Sequence, residues 1–281
     1  MQQNASDPAT TCDDTPLPPP LVAAPVEVFA NGATGLTRDD SIAAEVPIAL
    51  VFNGISHAVM MATPQDLSAF ALGFALSEGL IDSMADCRGI DVFTAADAAS
   101  CEVQLEISAA CFARLKEKRR ALAGRTGCGV CGIDSLQALD LLPERVARQP
   151  WLDQLDVASV LKAVNGMQPL QRLNAEAGSL HAAGWASPGG ELLMLMEDVG
   201  RHNALDKLIG QLAEQKRLGE PGFVVMSSRA SYELVRKCAR MGIGALATVS
   251  APTALAVQIA QQAQIRLWGL CRGTRAVRYT A

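Results

Sequence analysis

From about His181 to the C-terminus, short apolar runs alternate with amphipathic stretches, and this alternation constrains the fold more than any other feature of the chain. Residues 192–197, 223–226, 245–249 and 265–270 read as strands. Residues 203–215, 231–241 and 253–262 read as the helices between them. Strands separated by helices cannot close as hairpins, and right-handed crossovers bring them side by side in one direction. The expected fold class is therefore α/β, a mostly parallel sheet with flanking helices. In an open sheet of this kind, ligands bind beyond the carboxyl ends of the strands.

The first half reads differently. Residues 26–29 and 45–52 look like strands, and Asn53-Gly54 turns the second into residues 55–61 as a β-hairpin. A helix is expected from Pro64 to about Glu78, with Thr63 as N-cap and Gly79 as the stop. Residues 101–107 alternate like a strand, residues 111–122 read as a basic helix, and residues 150–167 as mainly helical with a break at Gly166. The resulting division is a disordered, proline-rich lead-in over 1–24, a smaller α+β N-terminal region over 25–118, a glycine-rich cysteine loop over 119–139 and an α/β ligand-binding domain over 140–281.

Composition narrows the function classes. The 281 residues are 49% hydrophobic and 19% charged, which suits a chain with a real core. No apolar run reaches the ~18 residues of a membrane span. Residues 1–11 have neither a basic start nor an apolar centre, so no secretory signal is expected and the expected compartment is the cytoplasm. A net charge of −5 gives no support to general nucleic-acid binding, so neither nucleic acid nor membrane is an expected partner.

Of eight cysteines, Cys12, Cys87, Cys101, Cys111, Cys238 and Cys271 are scattered. Cys128 and Cys131 form a close pair inside Thr126-Gly127-Cys128-Gly129-Val130-Cys131-Gly132. A zinc site wants more ligands than this pair offers. There is no second Cys-x-x-Cys and no His-x-x-x-His, and Cys101, Cys111 or His181 would join only through folding, so no resident metal is expected. Thioredoxin-like exchange places its first thiol at a helix start. Three glycines in six residues disfavour an immediate helix and predict an exposed segment whose thiol can visit two places. That suits sulfur carriage, in which a thiolate takes up sulfur as a persulfide and hands it on. The run Arg114, Lys116, Lys118, Arg119, Arg120 and Arg125, offset by Glu117, lies just upstream. Such a run is ordinarily a solvated helix face, and here its field would also favour a thiolate.

Four strand-end segments fall on the ligand edge if the strands are parallel: 197–203, 227–229, 250–253 and 271–275. Each alone is ordinary turn and capping chemistry. Together they are small, polar or basic, three open helices, and Arg201, Arg229, Arg272 and Arg275 offer guanidinium forks for phosphate. A phosphorylated, nucleotide-like ligand is expected there, with Ser228 and Thr253 lining the pocket. His202 sits among Asp198, Arg201 and Asn203, where a ligand-facing role and a cap are equally open. His181 has no Glu two residues on, so the His-x-Glu of a zinc deaminase is absent. Trp185 and Trp268 read as core.

These segments together resemble the formate dehydrogenase accessory sulfurtransferase family, FdhD. The likeness is carried by 126–132, by Glu197-Asp198-Val199-Gly200-Arg201-His202-Asn203-Ala204-Leu205-Asp206-Lys207, by Ser227-Ser228-Arg229-Ala230-Ser231-Tyr232-Glu233, by Ser250-Ala251-Pro252-Thr253, by Glu45-Val46-Pro47 and by Ser77-Glu78-Gly79. It runs from about residue 26 to the C-terminus. The resemblance implies a cytidine-deaminase-like fold and a sulfur relay. A cysteine desulfurase would donate sulfur and this protein would carry it as a persulfide. The acceptor would be the molybdenum cofactor of formate dehydrogenase in its bis(molybdopterin guanine dinucleotide) form, bound as substrate. By motif position the persulfide falls on Cys128 with Cys131 as partner thiol, and the cofactor-binding stretch falls on Leu270, Cys271, Arg272, Gly273, Thr274 and Arg275. A homodimer is also implied. The chain departs from the family where Ala177-Gly178-Ser179-Leu180 stands before His181 in place of Thr-Gly, and its proline-rich start has no family counterpart. A non-enzymatic chaperone for the same cofactor and a zinc-dependent nucleoside deaminase are the alternatives.

Overall fold

The computed structural model describes residues 15–30, 35–123 and 142–281, the last six residues of the second span without their side chains. The first elements, β1 (Leu21–Val28) and β2 (Leu36–Ala43), pair only with each other. Next come β3 (Val46–Phe52), β4 (Ile55–Ala62), β5 (Cys87–Thr94) and β6 (Cys101–Ile107), in a sheet ordered β4-β3-β6-β5. The turn between β3 and β4 uses positive φ at Asn53 and Gly54, as the Asn-Gly pair predicts. Helix α1 (Leu67–Ser77) separates β4 from β5, and α2 (Ala109–Ala123) follows β6.

The second half begins with α3 (Val157–Asn165) and α4 (Arg172–Ala177). Then follow β7 (His181–Ala186), β8 (Leu192–Asp198), α5 (Arg201–Glu214), β9 (Phe223–Met226), α6 (Tyr232–Arg240), β10 (Ala245–Thr248), α7 (Ala254–Ala263), β11 (Arg266–Arg272) and β12 (Arg275–Arg278). They form a six-stranded sheet in the order β12-β11-β10-β9-β7-β8.

That sheet corrects the expectation of a mostly parallel one. Only the β9–β10 and β10–β11 pairings are parallel, whereas β7 runs against both β8 and β9, and β12 runs against β11. The reason is connection length. Residues 187–191 turn β7 straight into β8, with Gly190 at φ 80°, and a short link can only reverse the chain. Because β7 is flanked on both sides by antiparallel partners, β8 still points the same way as β9, β10 and β11. All four carboxyl ends therefore lie on one edge.

The helix-start expectation at Thr63 also fails. Helix α1 begins after Asp66, and Thr63 is buried, with its Oγ1 accepting a hydrogen bond from the Val199 backbone N–H at 3.2 Å. Tertiary contact has taken the residue that local chemistry would use as a cap. Gly79 does end the helix, in the left-handed conformation at φ 69°.

One apolar core joins both sheets. It includes Ile48 and Leu105 of the first sheet, Phe70 of α1, Leu205 of α5, and Val224 and Leu246 of the second sheet. Helix α1 is apolar nearly all round because it is enclosed on nearly all sides. It crosses α5 at two glycines. A Cβ on Gly73 would lie 1.7 Å from the Asp206 carbonyl oxygen, and one on Gly210 would lie 1.9 Å from the Ala69 carbonyl oxygen. A second cluster, with Val160, Phe223, Trp268 and Cys271, fills the other face of the six-stranded sheet beneath α3. Trp185 and Trp268 are core residues, as expected.

The crossing predicts that Gly73→Ala forces two helices apart and costs about 1–3 kcal/mol or more. Gly89→Ala, whose Cβ would meet nothing within 4 Å, serves as the control. Thermal unfolding of the two variants should show a large loss for the first and little change for the second.

Candidate functional site

The carboxyl edge of the six-stranded sheet gathers the segments that the sequence singled out. Backbone bonds tie its loops together: Ser250 N–H donates to the Ser228 carbonyl at 3.2 Å, and Thr253 N–H to the Ala230 carbonyl at 3.0 Å. Arg272 Nε donates to the Val249 carbonyl at 3.1 Å, and its Nη2 lies 3.4 Å from Ser250 Oγ. Arg229 and Arg275 are exposed and have no protein partner among the described residues, so the protein leaves their donors unengaged.

Residues 270–275 are not a loop that follows the last strand. They are the end of β11, a register shift between Gly269 and Arg272, and a tight turn through Gly273 and Thr274 into β12. Leu270 sits in this irregularity at φ 53°, a left-handed conformation that costs a leucine about 1–2 kcal/mol. Asn165 at the end of α3 holds the turn by donating to the Gly273 carbonyl at 2.8 Å. The sequence carries no signal for that contact.

Several residues expected to line the ligand have side chains that are buried or already engaged. Cys271 is fully buried in the second core cluster, and burial pushes its thiol up to about 11. Ser228 is also buried, and its hydroxyl donates to the carbonyl of Arg229 at 2.9 Å. Both side chains are turned into the protein. Thr253 is exposed, but its Oγ1 caps α7 by accepting from Ala256 N–H at 3.2 Å. Their contribution to this edge is the loop shape and the backbone.

The segment after β8 is also mostly structural. Asp198 and Lys207 are wholly buried and paired at 2.8 Å. Asp198 further accepts from the N–H groups of Thr63 and Gly200 and from Asn203 Nδ2, while Lys207 Nζ donates to the Thr63 carbonyl at 3.0 Å. The adjacent Asp206 accepts from Ser77 Oγ at 2.7 Å and from Lys237 Nζ at 2.8 Å, and Lys237 also pairs with Glu78. Asn203, Asp206 and Lys207 thus bind the two halves of the molecule together instead of binding a ligand.

His181, Arg201 and His202 do reach the edge. His181 starts β7 directly opposite Asp198. Its Nδ1 lies 3.4 Å from Ser227 Oγ, which also accepts from Ala182 N–H at 2.9 Å. Burial, reinforced by the Arg201 cation, holds His181 below its ordinary pKa, so the ring is neutral near pH 7. His202 is half-buried, with Nε2 3.0 Å from Glu233 Oε2 and 3.3 Å from Ser231 Oγ. The bond from His202 keeps Glu233 below the usual carboxylate range despite its partial burial.

The cysteines divide by environment. Burial raises the thiols of Cys87 and Cys101, takes Cys271 to about 11 and takes Cys238 to about 12. None of these four suits a nucleophile at neutral pH. Cys128 and Cys131 lie outside the described residues, as does the cysteine loop that holds them. Among the described residues, Asp82, Asp86 and Cys111 are close enough to share a metal. Their donors are already engaged, because Arg114 contacts Asp82 at 2.7 Å and Cys111 Sγ at 3.3 Å, and Ser108 Oγ donates to Asp86 at 2.9 Å. Cys101 and His181 do not join that group. No helix among the described residues is long and apolar enough to cross a membrane.

Fold and edge together define a mixed α/β protein with a basic, open sheet edge. Residues 43–281 match the FdhD/NarQ family, and the chain belongs to that family. A protein of Burkholderia cenocepacia named sulfur carrier protein FdhD is 51% identical over 91% of this chain and 92% of its own length. Another of that name, from Chromobacterium violaceum, is 54% identical over 86% of this chain and 89% of its own length. A crystal structure described as a formate dehydrogenase accessory protein from Desulfotalea psychrophila superposes with a TM-score of 0.69 at 21% identity, covering 94% of this chain and 98% of that one. It shows the same fold.

Two predictions follow from the buried network. Lys207→Met leaves the Asp198 charge buried and unpaired, which should cost about 3–5 kcal/mol in denaturant unfolding. Burial works against ionisation of Glu78, but Lys237 and Arg236 prevail and hold its pKa below the ordinary value. A depressed carboxyl contributes stability that is present above the unfolded pKa and lost as pH falls through the folded one. Unfolding midpoints should therefore drop below about pH 4.3, and Glu78→Gln should flatten that part of the profile.

Proposed function

We propose that the protein carries sulfur for formate dehydrogenase. A cysteine desulfurase presents a persulfide, and the Cys128 thiolate attacks its outer sulfur. The donor's S–S bond breaks, its thiolate leaves, and Cys128 holds the sulfur as a new persulfide. The acceptor is the molybdenum cofactor in its bis(molybdopterin guanine dinucleotide) form, bound as substrate. Cys131, three residues on in the family motif, assists release. Its thiolate attacks the inner sulfur, which frees the outer one as hydrosulfide and leaves a Cys128–Cys131 disulfide.

The observation that carries this reading is the sulfur-carrier name of relatives more than half identical over most of the chain. Two features of the structure support it. The four described thiols with shifted pKa values are all raised by burial, which makes them poor nucleophiles and is in keeping with a role for the glycine-wrapped pair. The sheet edge offers Arg229, Arg272 and Arg275 for the phosphates of the substrate, with the turn of residues 270–275 beside them. In this reading the protein acts in the cytoplasm, pairs as a homodimer and shares its sheet plan with cytidine deaminases.

Incubation with a cysteine desulfurase and labelled cysteine should add one sulfur, a reducible increment of about 32 Da, to Cys128. Cys128→Ala should lose the adduct and reduce formate oxidation to background in cells lacking the native protein. If the wild type binds the cofactor but never gains the adduct, it is a delivery chaperone and the carrier reading fails. Full formate oxidation by the variant would also overturn it.

A further inference from the structure

Strand β8 closes one end of the six-stranded sheet and pairs only with β7. Its outer side lies in a groove of about 530 Å³ that runs between the turn before α1 and the start of α4. The two walls stand on opposite faces of the strand. Met194 and Met196 pack on the core that α1 shares, with Gln65 and Asp66 beside them. Leu195 packs on the cluster beneath α3, with Leu170 and Arg172 on that side. The Glu197 carboxylate ties this second wall to β8 by accepting from the Leu173 and Asn174 N–H groups at 3.0 and 2.8 Å.

The neighbours of β8 fix where its backbone groups point. Ala182 of β7 faces β9, because its carbonyl accepts from Ser227 N–H at 3.0 Å and its N–H donates to Ser227 Oγ at 2.9 Å. Opposite residues of an antiparallel pair exchange both backbone bonds or neither, in alternation. Glu197 stands opposite Ala182 and so turns its N–H and carbonyl outward, as does Leu195 opposite Gly184. Lys207 Nζ takes up the Glu197 carbonyl at 3.3 Å. The outward N–H and carbonyl of Leu195 meet no partner among the described residues. Beside them the register shifts, which leaves Leu193 without an opposite residue and 46% exposed.

An edge of this kind is a template for another strand, and chains ordinarily blunt it with charge, proline or a cover. Residues 192–196 contain neither a charge nor a proline. The bulge keeps the template short, so side-chain contacts must add to any backbone pairing. Asp66 is already held by Gln65 Nε2 at 3.2 Å, whereas Arg172 is exposed and has no partner among the described residues. The charge left to be matched is therefore positive. The groove also runs into the basic sheet edge, because Glu197 lines it and Arg201 follows at the start of α5. A polypeptide seated in it lies beside that edge, where the recipient of a bound cofactor has to come.

We propose that this groove docks the formate dehydrogenase polypeptide, which adds an extended segment to the free edge of β8, with apolar side chains at alternate positions and an acidic side chain against Arg172. Backbone bonds to Leu195 give the segment its register, and the two apolar walls take its alternate side chains. The inference rests on the reading of the protein as a carrier for formate dehydrogenase, and it specifies the surface on which the two meet.

The probe is the apo form of the formate dehydrogenase catalytic subunit, made in cells lacking this protein, with binding to the full chain measured by calorimetry. Arg172→Glu sets like charges together and Leu193→Lys places a charge against apolar side chains, so each should weaken binding about tenfold or more. Both residues are exposed, and the melting temperatures should stay at the wild-type value. Val59→Lys, at an exposed apolar residue of β4, should bind like the wild type. Hydrogen exchange reads the strand addition directly. The Leu195 amide should exchange fast in the free protein and about tenfold or more slowly in the complex. The proposal is overturned if the wild type does not bind, if either groove variant binds like the wild type, or if the complex leaves Leu195 exchange unchanged. Slow exchange in the free protein also overturns it. Protection that fades on dilution puts a second copy in the groove, and protection independent of concentration puts another segment of this chain there. Labelled sulfur on Cys128 without binding of the probe sinks the docking surface and leaves the sulfur-carrier reading standing, and binding without the sulfur adduct does the reverse.

Discussion

The ion pair between Asp198 and Lys207 is the contact on which the arrangement of the molecule depends. Both groups are wholly buried, and each is completed by hydrogen bonds from the opposite half of the chain. The Thr63 N–H and carbonyl, the Thr63 hydroxyl and the Met61 carbonyl all close onto the β8–α5 junction. A buried pair of this kind contributes little net stability compared with an apolar pair of the same shape. Its strength is selectivity, because a shifted docking would leave two charges unsatisfied in the core.

A second network repeats the device from the adjacent residue of α5. Asp206, Ser77, Glu78, Lys237 and Arg236 join α1, α5 and α6. Burial works against the charge on Lys237, but the carboxylates of Asp206 and Glu78 prevail and raise its pKa. Between the networks, Gly73 and Gly210 let α1 and α5 approach to backbone contact. The β8–α5 junction is thereby held fixed, so Arg201 and His202 are presented at the edge from a rigid base.

Much of the second half was legible in the sequence because its strands are short apolar runs closed by turn residues. Residues 223–226 match β9, and Ser231 and Thr253 flank α6 and α7 as N-caps. Other elements were not legible. Strand β2, with Thr37, Arg38, Asp39 and Asp40 in its middle, is too polar and exposed to show a buried face. Strand β5 has its register broken between Cys87 and Gly89. The reversed strand β7 was hidden because an apolar run does not carry its own direction. At the edge, Arg229, Arg272 and Arg275 were visible as basic residues after strands. Ser228 and Cys271 looked equally available, since spacing alone does not say which face of a strand end turns inward.

By itself the sequence determined most element types of the second half, the α/β class and the grouping of arginines at strand ends, because hydrophobic period and turn chemistry are local properties. It also determined family membership, through motifs read as strings. Only the tertiary structure decided what those motif residues do. Asp198, Asn203, Asp206 and Lys207 sit beside Arg201 and His202 in the chain, yet the first four close the core and the last two face the edge. The physical reason is that a charge buried against a partner and a charge offered to a ligand are the same residue type, and only three-dimensional packing settles which carboxylates and carbonyls each one meets.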